Sequence, residues 1–69
     1  MIRNEIQTRM QLGTSFKVEA LTKFGNTIYT VTRVIDLDEE SVSFFDVRGE
    51  RVSIRLSAIQ RVFDGGGRT

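Results

Sequence analysis

The residues that could do chemistry fall into an acidic group and two basic ones. Asp36, Asp38, Glu39 and Glu40 crowd into one short run. Several carboxylates together suit a hard cation. This run lacks the spacing and the glycine of an EF-hand loop, so the expectation is a solvated acidic hairpin tip. Arg48, Arg51, Arg55 and Arg61 follow it against Glu50 alone, and Arg3, Arg9, Lys17, Lys23 and Arg33 precede it against Glu5 and Glu19. One acidic loop between two basic flanks could steer a polyanion to one face; a mixed soluble surface is the alternative. The chain has no Cys and no His. The usual nucleophile–base pairs are therefore missing, and disulfides, haem attachment and a zinc site of the usual Cys/His kind are not expected. Gly65-Gly66-Gly67 is followed by neither a Lys nor a helix, so it does not read as a phosphate loop. The expectation is a non-enzyme with no cofactor and no metal.

The elements that must position these residues are mostly strands. Asn26 to Asp36 is an unbroken run of β-formers, which suits a pleated surface. As one strand it puts Tyr29, Val31, Arg33 and Ile35 on one face and Ile28, Thr30, Thr32 and Val34 on the other. Apolar groups on both faces imply cover on both sides, as in a small, strongly bent barrel. Ahead of it, Ile2, Ile6 and Met10 recur every four residues, predicting a helix over about 2–12 that Gly13 stops. Phe16, Val18 and Ala20 alternate with Lys17 and Glu19 as a first strand, and Phe24-Gly25-Asn26 is a turn. Ser41 to Val47 reads as a third strand, Arg48-Gly49-Glu50 as a tight hairpin connection, and Arg51 to Arg55 as a fourth strand. Leu56-Ser57-Ala58 is a short link with room for one helical turn, and Ile59 to Phe63 is a fifth strand. The fold class expected is mainly β: an N-terminal helix and a five-stranded antiparallel sheet forming a small open barrel. Residues 1–64 make a single domain (barrel about 15–63), with 65–69 a flexible Gly-rich tail. The core expected is Phe16, Val18, Ile28, Val34, Val42, Phe44, Val52 and Ile54.

A chain of 69 residues with formal net charge +1 buries a modest fraction of its surface. Small scaffolds need a staple, and without Cys or His the one left is a partner subunit. The last strand supplies a place for it. Ile59, Val62 and Phe63 leave apolar groups on both faces of a terminal edge strand, which invites another chain; covering the barrel's end is the other role open to Phe63. No apolar run approaches membrane-spanning length, and Met1-Ile-Arg-Asn-Glu lacks the apolar core of a leader. Cytoplasmic residence with no membrane partner is the expectation, which the missing Cys fits.

Phe16 to Phe63 resembles the Sm-like superfamily, which includes the Sm and Sm-like proteins of RNA processing and bacterial Hfq. The resemblance lies in Lys17-Val18, Gly25, Val34-Ile35-Asp36, Asp46, and Ser53-Ile54-Arg55 followed by Ile59 and Val62. It implies a homomeric ring of six or seven subunits, a range that the short hairpin loops of this chain extend down to five, with the fourth strand of one subunit paired to the fifth of the next. It also implies single-stranded RNA as a partner, bound without catalysis, and suits a prokaryotic or phage source. Asp36 and Arg55 match the family's two motifs and are the pore residues it implies; Arg3 and Arg9, on the outer side of the helix, offer a second route to phosphates. For Arg55 the alternative role is an ion pair with Asp36. The chain departs from the pattern in having no Asn after the motif Asp, Leu56 in place of Gly after the motif Arg, Thr30 and Thr32 where a glycine eases the bend of the second strand, and no Lys-His pair. A ring module that assembles or binds protein, with no RNA, is the alternative function.

Overall fold

The computed structural model describes residues 2–64; the tail expected at 65–69 lies outside the described residues. The chain is mainly β with one N-terminal helix. Helix α1 (Ile2–Leu12) is followed by β1 (Phe16–Thr22), β2 (Gly25–Val31), β3 (Arg33–Leu37), β4 (Ser41–Phe45) and β5 (Arg51–Arg55), then a 3₁₀ turn (Leu56–Ala58) and β6 (Ile59–Asp64). The strands form two antiparallel three-stranded sheets, ordered β2-β1-β6 and β3-β4-β5.

Six strands in two sheets replace the single five-stranded sheet expected from the sequence, and the sheets do not close into a barrel. The reason is Thr32. The long second strand breaks there, and its backbone N–H and its hydroxyl both donate to the carbonyl of Phe45, at 2.9 Å each. The break changes which side chains face inward. Val31 is buried before it, and Val34 packs against the core after it. Three positions separate them, an odd spacing that one unbroken strand would place on opposite faces. A register shift between Val34 and Asp36 makes Ile35 an extra residue, as in a bulge, and returns Leu37 to the core side. Ile28, expected in the core, is instead 54% exposed, because the inward face of β2 is the one carrying Tyr29 and Val31.

The inner faces of both sheets and the helix share one core. Phe16, Val18, Ala20 and Val31 come from the first sheet's β1 and β2, Ile59 and Val62 from β6, Val42 and Phe44 from β4, and Ile6 from α1. Tyr29 meets Phe44 edge to face, with ring centroids 6.1 Å apart, a favoured aromatic geometry. Val52 and Ile54 pack against this core and are only half-buried. Helix α1 lies against β6 and β3 and so bridges the two sheets. It ends as expected, with the Gly13 N–H bonded back to the Arg9 and Met10 carbonyls.

Side-chain oxygens fix the turns of the β1–β2 and β4–β5 hairpins. Thr22 pairs with Gly25 across a two-residue loop, and its hydroxyl accepts the Phe24 N–H and donates to the Gly25 carbonyl. The β4–β5 hairpin is held by Asp46. The third strand stops at Phe45 and not at Val47, because the buried Asp46 carboxylate turns the chain, accepting the N–H groups of Arg48 and Glu50 at 2.9 Å each. Gly49 sits at φ +81°, a left-handed conformation that a residue with a Cβ rarely adopts.

Candidate functional site

The loop 46–50 between β4 and β5 sets the register that builds the site. Phe45 lies opposite Arg51, and Ser41 opposite Arg55. Arg55 is therefore carried to the end of β5 where the acidic loop enters β4. The loop and the following 3₁₀ turn are tied together, for the Leu56 N–H donates to the Glu40 carbonyl at 2.8 Å. Between them opens a cleft of ≈ 430 Å³ lined by Glu39, Glu40, Ser41, Arg55, Leu56 and Ser57.

Asp38 shapes that loop. Its carboxylate accepts the N–H groups of Glu40 and Ser41, each at 2.8 Å, and the Ser41 hydroxyl. The Glu40 and Ser41 backbone donors, in that order, hold its pKa below the ordinary carboxylate value; desolvation opposes them, and the Ser41 hydroxyl and the Arg3 charge add to the lowering. Asp38 is thus a turn-former. Among the described residues no cluster of three or more acidic side chains is arranged to hold a metal.

Of the residues singled out from the sequence, Arg55 and Arg3 converge on this loop. The Arg3 Nε donates to the Asp38 carbonyl at 3.3 Å, and its guanidinium also reaches Gln7. Asp36 is near but apart: it stands opposite Ser43 on β4, and Arg55 reaches Ser41 from β5, the strand on the other side. Among the described residues Asp36 and Arg55 form no ion pair, and Arg55 is exposed with no side-chain partner. Arg9 is elsewhere. Its side chain is 21% exposed and pairs with Asp64 at 3.2 Å while donating to the Glu5 carbonyl. Arg3 and Arg9, expected on the outer side of the helix as a route to phosphates, are thus each engaged within the chain.

The three residues expected at a subunit contact divide by face. Ile59 and Val62 turn their side chains into the core. Phe63 is half-buried on the outer face, with the Arg61 guanidinium 4.4 Å from its ring centroid; Arg61 in turn pairs with Glu19 at 2.8 Å. Ser41 and Ser57 were not singled out in the sequence as companions of Arg55. The register hid Ser41: a three-residue turn at 48–50 pairs position 55 with 43, and only the stop of β4 at Phe45 moves Arg55 opposite Ser41.

Compared with protein-family models, curated proteins and solved structures, the chain matches none.

Proposed function

We propose that this chain is an Sm-like protein that assembles into a homomeric ring of five to seven subunits and binds single-stranded RNA without catalysis. In this reading the two sheets are halves of one strongly bent sheet, with Thr32 at the bend that a glycine makes elsewhere in the family, and together they form its small open barrel. One observation carries the reading. The loop 38–41 is pinned to the 3₁₀ turn, with a partnerless Arg55 at their junction, and the two strands flanking that turn, β5 and β6, each leave one side unpaired. A heterologous contact between two different free edges closes into a ring when its rotation allows, and the ring would gather one such cleft per subunit around its axis. Guanidinium groups there can stack on bases or meet phosphates.

Glu39 and Glu40 beside Arg55 oppose a phosphate backbone, so affinity is modest and falls steeply with salt. The test is a gel-shift titration with labelled U-rich and A-rich RNA at two salt concentrations. Arg55→Ala weakens binding several-fold. Glu39→Gln with Glu40→Gln strengthens it, with Asp38 kept because it forms the turn. An Arg55→Ala variant with unchanged affinity would remove the site. A parent chain that binds no RNA even at low salt would put the assembly or protein-binding ring in its place.

A further inference from the structure

The outer face of the β3-β4-β5 sheet carries an arrangement separate from the cleft at Arg55. Phe45 stands directly between Arg33 on β3 and Arg51 on β5. Its neighbours in β4, Val42 and Phe44, face the core, and the alternation turns Phe45 outward, 36% exposed. Both arginines are exposed, and among the described residues neither has an ion-pair or side-chain hydrogen-bond partner. Every other arginine within residues 2–64 except Arg55 is engaged with a carboxylate or a carbonyl. The next row of this face holds Asp36, Ser43 and Ser53, with the two serine hydroxyls bonded to each other at 2.8 Å.

We infer that this row is a binding surface for single-stranded nucleic acid, with one base stacked on Phe45 and the phosphates on either side of it met by Arg33 and Arg51. The charge and the shape both favour this occupant. Strands in a sheet lie about 4.8 Å apart, so the two arginines straddle the ring from positions roughly 10 Å apart. That spacing suits an aromatic plane with an anion on each side. Stacking tolerates any base, and two free guanidinium groups suit phosphates. Asp36 repels a strand running along the sheet towards it, so the path crosses the three strands along the Arg33–Phe45–Arg51 row. The surface lies within one chain and needs no ring; edge pairing at β5 would use its backbone and leave this face open. It extends the RNA-binding reading but does not depend on Arg55.

The chain has no Trp, so Phe45→Trp installs a single reporter at the stacking position. Its emission is expected to fall on adding an oligouridylate or oligothymidylate of about ten nucleotides, inside the usual site size of a small single-strand binder. Quenching by both, or by the RNA alone, supports the surface and tells whether the sugar is read. No quenching, or equal quenching by an abasic oligomer of the same charge, overturns it. Phe45→Leu keeps an apolar cover on the sheet and is expected to lower affinity about tenfold, as loss of one base stack does; unchanged affinity would mean that Phe45 only covers the sheet. Quenching retained when Arg55→Ala is combined with Phe45→Trp separates this face from the cleft. Quenching lost in that double variant overturns it as a site of its own. An Arg55-dependent gel shift with a silent reporter leaves the cleft reading standing and removes this one.

Discussion

Among the residues of the acidic run, Asp38 and its neighbours Glu39 and Glu40 carry the same charge and do different work. Asp38 spends its oxygens on the N–H groups of Glu40 and Ser41, whereas Glu39 and Glu40 line the cleft. Because folding lowers the Asp38 pKa below 3.8, the folded state holds its proton less tightly than the unfolded chain does. Its contribution to stability is therefore complete above the ordinary carboxylate value and is lost as pH falls through and below it. Thermal melting followed by circular dichroism from neutral pH down to acid should show a smaller fall for Asp38→Ala than for the parent, and at neutral pH Asp38→Ala should melt lower. Equal acid sensitivity in the two would mean that Asp38 does not hold the loop.

Within the elements, β-propensity and the breaks in it decide different things. The residues from Thr27 to Ile35 mostly favour strand, yet the chain bends at Thr32, where two bonds to the Phe45 carbonyl replace continued pairing. The β4–β5 hairpin depends on one buried carboxylate. Asp46→Ala would leave the Arg48 and Glu50 N–H groups without their acceptor and should cost about 1–3 kcal/mol of stability. Asp46→Asn keeps an acceptor oxygen and should cost less. Urea unfolding of the three proteins checks the order; an alanine variant as stable as the parent would show that Gly49 alone makes the turn.

The whole molecule is small, with two sheets whose outer strands are unpaired. The ladder between β4 and β5 has known ends: Asp46 bonds Glu50, and Leu56 bonds Glu40. Hydrogen-bonded and non-bonded pairs alternate between those ends. Val52 and Ile54 therefore bond towards β4, and Arg51, Ser53 and Arg55 aim their N–H groups out of the free edge. Ser53→Pro removes an outward donor and spares the ladder, a place where an edge strand tolerates proline. Sedimentation at micromolar concentration should find the parent as a closed oligomer of five to seven copies. Ser53→Pro should shift it to smaller species while keeping a cooperative melt. Phe63→Asp, which also strips the ring from beneath Arg61, should do the same with a larger loss of stability. A parent that sediments as a monomer would end the ring proposal.

What the sequence determined by itself was local. The helix over 2–12, the stop at Gly13, the tight hairpin at Gly49, the 3₁₀ link at Leu56–Ala58 and the alternation of Val42 and Phe44 were readable because each depends on neighbours within a few positions. Only the tertiary structure decided which face of the second strand turns inward. A break at Thr32 and an extra residue at Ile35 reset a period of two, and both answer to the Phe45 carbonyl and the register with β4, contacts distant in sequence. The same distance hid the partners of Arg3 and Arg9. A helix stripe tells which side chains leave the core, but the carbonyl of Asp38 and the carboxylate of Asp64 that capture those arginines arrive only when the sheets fold against α1.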